Sequence, residues 1–541
     1  MFCFLPAELI ETIFDQFDVP SLLRCMQVCK LFQAIISEST HLLYKIDLFG
    51  SRMGDGRHSA LDIVDRLTRL RSYNQVWNEM RWTGSKKVPM EGGSSWDLVG
   101  GVLAHALFND RSISCVQLPC SIKGIPEKRW IVDLEITIRD FYFDVAQDLL
   151  ICIEVIDDEL CRIHFLTLST GKRHPLACTP TVTHEAPDLP MWIDPRFFMQ
   201  ICGPRIIILL EDVAYGAPSV GDFVAWDWRT GELEMFIRCA ELCSFSMLTE
   251  DLILVATIPM PCEPSLDVVS ISECRRVLKA SPNGSPLQFA DIPSIRGFQL
   301  PKVRGGADIE IVIRSEPSPL ASPSPSLRVP FSISQGDCLY VVTMRITAEE
   351  DGFLRDHLVT LLTLRSTFLA HVNQQLGANE GAERHTGTIS SRLNENVHAH
   401  PSPACIPWHT WGPDGTHILP LKPSDAWVCY THDTKFIHRT SENTAYLYEF
   451  NPCAVRRHHA QESEATHDNR LWRPLDLESK IEGNVFPFLE KVTTRLPGSI
   501  ALVELPHTEG CFLGPMLAED NIVVATMGQN LSDDSFAYLY M

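Results

Sequence analysis

The chain lacks the short motifs that mark most catalytic sites. No G-x-S-x-G elbow, G-x-x-x-x-G-K-[ST] phosphate loop, H-E-x-x-H pair or doubled C-x-x-C occurs in its 541 residues. It also lacks any apolar run near the ~20 residues a bilayer-spanning helix requires. Basic residues are scarce: 46 Lys and Arg stand against 68 Asp and Glu, a formal net charge of −22. A chain this acidic is poorly suited to neutralising phosphates along a duplex, so nucleic acid is not expected as a ligand. No cysteine framework is present either. The 18 cysteines are scattered singly, often in apolar settings such as Leu150-Ile151-Cys152-Ile153, the pattern of reduced thiols buried in a cytoplasmic or nuclear protein. These absences predict a protein that is not an enzyme, carries no cofactor or metal and does not enter a membrane.

Met1 to Leu5 is apolar, but it has no basic flank, and Glu8, Glu11 and Asp15 interrupt any continuation, so the sequence argues against a secretion signal. The same region reads well as helix. Pro6 suits a first helical turn, Glu8 and Glu11 lie near the positive end of the helix dipole, and Leu9, Ile10, Ile13, Phe14 and Phe17 recur at helical spacing. Asp18 and Pro20 supply a stop and a restart, after which Leu22, Leu23, Cys25, Met26, Cys29, Phe32, Ile35 and Ile36 extend the pattern through two more short helices. Three helices in about forty residues bury too little surface to stand alone, which makes the apolar excess a candidate interface.

The order Leu5-Pro6 with Glu8, Leu22-Leu23-Arg24, then Val28-Cys29-Lys30 with Phe32 resembles an F-box, the helical module that docks substrate receptors onto a Skp-type adaptor of a cullin ubiquitin ligase. Where that family often closes on Leu-Trp, this chain has Leu42-Leu43-Tyr44. The resemblance, placed at 1–48, implies that Leu5, Pro6, Leu9, Ile10, Ile13, Leu22, Leu23, Val28, Cys29 and Phe32 form or support the adaptor contact. It also implies that the remainder presents an unknown protein client for ubiquitination, catalysis belonging to partner enzymes. A propeller hydrolase carrying an F-box-like appendage, or a scaffold outside any ligase, are the alternatives.

Leu61, Val64, Leu67, Leu70, Trp77 and Met80 predict a linker helix within 58–83, either a stalk between domains or a surface helix of the second one. From residue 90 the period becomes strand-like. DLLICIEVIDD (148–158), GPRIIILLEDV (203–213), EDLILVATIPM (250–260) and QGDCLYVVTMRI (335–346) are each followed by a second strand-like run, twice ending at Thr-Gly (Thr170-Gly171 and Thr230-Gly231). Units of about forty residues built from short strands stack radially, because one unit cannot bury both of its own faces. With Ala225-Trp226-Asp227-Trp228 resembling a WD-type blade end, the fold class is α+β overall: a small all-α N-terminal unit and linker helix, then a large all-β domain over 90–541, a β-propeller of six to eight blades. A β-sandwich pair or irregular all-β solenoid is the second choice. The whole arrangement resembles expanded F-box families of fungi.

Three segments interrupt the repeats: 315–330, rich in Pro and Ser, and the polar stretches 377–403 and 456–470. Their composition predicts loops that project from the domain, with Ser318, Ser322 and Ser324 each preceding proline. His398, His400, Cys405 and His409, and again Cys453, His458, His459 and His467, hold metal-ligand atoms close in sequence, but neither set has a recognised zinc spacing and both read as solvated loops. Of Trp192, Trp226, Trp228, Trp408, Trp411 and Trp427, the pair at 226 and 228 falls on one strand face and is assigned to packing. The net charge suggests a client with a basic patch.

Overall fold

The computed structural model describes residues 5–56, 58–89, 95–157, 160–185, 196–211, 220–259, 263–281, 285–292, 294–304, 306–350, 353–385, 405–420, 429–441, 443–462, 471–476, 478–481, 487–506, 511–527 and 535–541. Four helices come first: α1 (Ala7–Asp15), α2 (Val19–Met26), α3 (Lys30–Glu38) and α4 (Thr40–Ser51). Asp18 caps α2 by accepting from Ser21 N, and Ser39 caps α4 by accepting from Leu42 N, so each restart has a local polar cause. A fifth helix, α5 (Ile63–Glu79), begins at Asp62, whose carboxylate accepts from Asp65 N.

The strands form six four-stranded antiparallel sheets and one five-stranded sheet, seven in all among the described residues, beside two small two-stranded pairs. Their innermost strands are Trp96–Val99, Asp140–Asp144, Arg196–Cys202, Leu242–Met247, Asp308–Arg314, Thr431–His432 and Cys511–Leu517. The first five pack one against the next around an axis; the sixth abuts the second strand of the fifth sheet and the first of the seventh. The ring closes where Leu98, Leu103 and Val116 of the first sheet share a core with Met516, Val523 and Tyr538 of the last, and Trp96 meets Phe536 edge-on at 5.6 Å. This is a seven-bladed β-propeller, within the expected range of six to eight.

Sandwiching between blades explains why the middle strands read as unbroken apolar runs. Leu149, Ile151 and Ile153 face the third blade while Leu150 and Cys152 face the first. Ile206, Ile208 and Leu210 point one way, and Ile207 and Leu209 the other. Successive side chains alternate sides, and both sides are buried. Trp226 and Trp228 lie in one core between the second and third blades, with Trp228 Nε1 donating to the Gly203 carbonyl at 3.1 Å. The Thr-Gly turns are tight as expected: Gly171 has φ +69°, and a Cβ there would fall 2.7 Å from the Asp133 carbonyl.

Closure depends on a strand from outside the blade sequence. Gly84–Pro89 pairs antiparallel with Ser535–Tyr540, which thus sits between it and Ile522–Met527. The ring therefore starts at Gly84, ahead of the expected boundary at 90. The strand-like runs that follow 250–260 and 335–346 do not stay extended to their ends. After Ser265–Ser270 the chain enters α6 (Ile271–Ala280), because Ser270 accepts from Glu273 N as an N-cap; after Phe353–Leu364 it enters α7 (Arg365–His385).

Candidate functional site: the helical docking face and its mount

The core of the four helices is Ile10, Phe14, Leu22, Ile35, Ile36 and Leu42, with Phe32 packed edge-on to Phe14 at 5.1 Å. Of the residues singled out from sequence, Ile10 and Leu22 are spent in this core at 1% and 0% exposure, and Ile13, Cys29 and Phe32 are half-buried. The others remain outside. Leu5, Leu9, Leu23 and Val28 are exposed at 39, 52, 40 and 68%, and Pro6 is exposed beside them in sequence. Leu31, which the sequence reading passed over, is exposed as well. Helical spacing does not mark it, because Leu31 lies one turn before the buried Ile35 on the same side of α3. Large apolar side chains held in water on an ordered module mark a surface that waits for a partner.

The module is anchored to the propeller through α4 and α5. Arg52, the left-handed cap that ends α4, pairs with Asp433 of the sixth blade. Asn451 donates to the Gly50 carbonyl at 3.1 Å, and Arg71 of α5 pairs with Asp47 of α4 at 2.7 Å. α5 is no free stalk. Leu67, Leu70, Tyr73 and Trp77 enter the largest core together with Phe331, Phe436, Trp472 and Leu517, so the helix lies against the ring. Tyr73 donates to the Glu519 carbonyl at 2.5 Å, and the Trp472 indole donates to the Asn78 carbonyl at 3.1 Å.

The segment 315–330 does not project. Beginning at the centre of the ring, Tyr142 donates to the Glu316 carboxyl at 3.2 Å, Asp433 N donates to the Glu316 carbonyl at 2.7 Å, and Ser318 donates to the Ile201 carbonyl at 2.7 Å. It then leaves towards the helices, where the Pro330 carbonyl accepts from Gly56 N, and Phe331–Ile333 pairs antiparallel with Met53–Asp55. Its composition resembles a disordered tract, but Val329 and the fully buried Phe331 anchor one end and backbone partners satisfy the other. Nearby, Lys123 of the first blade is almost wholly buried, paired with Glu519 and at 2.6 Å with Asp520, and these charges tie the last blade to the first.

The remaining sequence candidates scatter. His398, His400, His467, Trp192 and Trp427 lie outside the described residues, as do 386–403 and 463–470 of the expected insertions, while their described parts 377–385 and 456–462 are helical rather than loop. His458 stacks on Trp472 at 4.5 Å, and burial pushes its pKa down to about 4. Trp411 is core, donating to the Gln299 carbonyl at 2.9 Å. Among the described residues no group of three or more His, Cys, Asp or Glu is placed to hold a metal, and no helix is long and apolar enough to cross a membrane. Burial also holds the thiols of Cys115, Cys152 and Cys161 above their ordinary range.

Residues 2–48 match the F-box-like family model. The chain carries an F-box-like domain. It continues into a propeller whose assignment rests on strand order and ring closure. Solved structures with some likeness include the WD40 domain of SCAP from fission yeast, with 8% identity, TM-score 0.29 and coverage of 84% of this chain and 94% of that one. Another is the β-propeller domain of the Trilobed protease from Pyrococcus furiosus, described as having an open velcro topology, with 8% identity, TM-score 0.25 and coverage of 74% and 94%. No curated protein matches the chain. The F-box-like domain implies binding to a Skp-type adaptor, and the match spans α1 to α3 and most of α4.

Proposed function

We propose that this protein is a substrate-recruiting subunit of an SCF-type cullin ubiquitin ligase. The F-box-like domain docks on a Skp-type adaptor through Leu5, Pro6, Leu9, Leu23 and Val28, while Ile10, Ile13, Leu22, Cys29 and Phe32 hold those side chains in place. The observation that carries this reading is the exposure of the first group on a module whose sequence matches the F-box-like family. A few apolar anchors dominate the affinity of a small interface. The propeller then binds a protein client, and the protein performs no bond chemistry of its own. Its contribution is proximity: the client is held near a charged ubiquitin carrier. Work in the cytoplasm or nucleus follows from that partner set.

Reconstituted ubiquitin transfer tests the reading. Full-length protein, a Skp-type adaptor, a cullin–RING pair and charged carrier should modify a client recovered with the propeller. Transfer should stop when Leu9→Asp is substituted. A client modified equally well without this chain, or with the variant, contradicts the proposal.

A further inference from the structure

The axial segment divides the centre of the propeller, with Glu316 lining the spaces on both sides of it. One space faces the F-box-like domain and is bordered by Gly100, Val145, Ser332 and Glu519. The other opens on the opposite face, where the first innermost strands begin. It encloses about 700 Å³ including its mouth, and Trp96, Phe141, Phe197, Phe198 and Phe245 supply its aromatic lining. Its polar lining is lopsided. Asp97, Asp140 and Glu316 contribute three carboxyls, and Arg314 is the single cation among the lining residues.

The bonds these groups make leave capacity unused. One oxygen of Asp97 accepts from Leu98 N at 2.8 Å and from the Cys429 thiol, and one oxygen of Asp140 accepts from Ser95 and from Phe141 N, both at 2.8 Å. The second oxygen of each has no hydrogen-bond donor among the described residues. Nε of Arg314 is buried without an acceptor, its guanidinium lying over Phe198 at 5.2 Å. Asp97 and Asp140 are half-buried, so carboxylate oxygens without a donor that border an aromatic hollow are the complement of a cationic ligand. On the same face, the fifth-blade hairpin Leu339–Glu350 with Phe353–Leu364 runs past its neighbours and exposes Phe353 and Leu354 at 71 and 77%. Apolar side chains on that rim suit a polypeptide rather than a free amine.

Resting on the client-binding role given above, we propose that this hollow is the client's docking site and takes a lysine or arginine side chain of the client. The cation lies between the carboxylates of Asp97 and Asp140 against aromatic faces. Burial pushes Asp97 and Asp140 up to about 6, each beside further charge: Asp140 and Arg314 around Asp97, Arg139 near Asp140. Glu316 is pushed to about 8 by burial and the Asp97 charge, while the third blade contributes only uncharged Phe197, Phe198, Met199 and Gln200. Capture of a cation therefore strengthens as pH rises through 6.

The test uses full-length protein and three capped peptides, Ac-Ala-Arg-Ala-NH2, Ac-Ala-Lys-Ala-NH2 and Ac-Ala-Gln-Ala-NH2, followed by ligand-observed NMR at ~0.15 M salt. The cationic peptides should bind about tenfold more tightly than the glutamine peptide at about pH 7.5, and the preference should shrink at about pH 5. Asp97→Asn with Asp140→Asn should abolish the preference, whereas Asp65→Asn on α5 should leave it intact. Equal binding of the three peptides by the wild-type protein overturns the proposal without recourse to variants, as does a preference that survives the double substitution. Adaptor binding is measured on the same samples. Lost peptide preference with adaptor binding intact defeats the pocket alone; intact preference with no adaptor binding defeats the ligase reading alone.

Discussion

Arg52 Nε lies 3.2 and 3.3 Å from the two carboxylate oxygens of Asp433, and Nη2 lies 3.2 Å from one of them. Arg52 ends the last F-box helix and Asp433 follows the short inner strand of the sixth blade, both with positive φ. Their side chains are 13 and 7% exposed, so the pair is largely shielded from water. A buried, multiply bonded ion pair resists sliding in a way that an exposed one does not. It fixes the orientation of the F-box-like helices relative to the ring.

Breaking that pair should loosen the mount. Arg52→Met leaves Asp433 buried with only Lys435 to offset it, and the expected loss is about 2–3 kcal/mol by denaturant unfolding. Adding Asp433→Asn, which tolerates the positive φ, should recover most of that loss. A single variant as stable as wild type would show that the contact contributes nothing.

Removal of residues 533–541 should destabilise the entire ring. Ser535–Tyr540 is an interior strand, and its loss strips partners from both Ile522–Met527 and Gly84–Pro89. Exposed edges favour association, so lower melting and aggregation are expected by scanning fluorimetry and light scattering. A monomeric product with unchanged melting contradicts closure by Gly84–Pro89.

Phe331→Ala should act on the axial segment. Phe331 is fully buried and meets Tyr73 edge-on at 5.5 Å. The expected cost is about 3–5 kcal/mol, with faster proteolytic nicking within 315–330 as its anchor is lost. Wild-type protection of that segment in the variant would show that the anchor lies elsewhere.

The buried carboxyls give a pH dependence with a definite sign. With Asp97 and Asp140 at about 6 in the folded protein and near 4 unfolded, the native state holds more protons in between. Their contribution to stability therefore falls as pH rises from about 4 to about 6. The double Asn variant should be more stable than wild type by about 2 kcal/mol near pH 7, the difference vanishing towards pH 4. A gain that grows on acidification would reverse the assignment.

The elements legible in the sequence are those whose pattern is local. Leu149 to Ile153 and Ile206 to Leu210 announce strands buried on both faces, and the spacing of such pairs yields blades. The F-box order is likewise contiguous. Gly84–Pro89 is different: as an outer strand with Val88 as its one apolar side chain seen buried, it carries almost no periodic signal. The inner strand Thr431–His432 is too short to show one. Residues 315–331 look disordered because their partners, from Ile201 to Tyr44, are remote in sequence. Within the F-box-like domain, helical spacing could not separate Leu9, which faces water, from Ile10, which does not. Asp97 and Asp140 sit near strand starts, as ordinary turn acids do, and only the packing of the second blade on the first brings them together.

The most direct measurement is calorimetric titration of full-length protein with a purified Skp-type adaptor, comparing wild type, Leu9→Asp with Val28→Asp, and Ile10→Ala. The account predicts tight binding by wild type and about a hundredfold weakening in the first variant with its melting unchanged, because Leu9 and Val28 contribute nothing to the domain core. Ile10→Ala should lower stability by about 2–4 kcal/mol, since Ile10 is core. Absence of wild-type binding, or undiminished binding by the doubly charged variant, would contradict the assignment of this face to the adaptor.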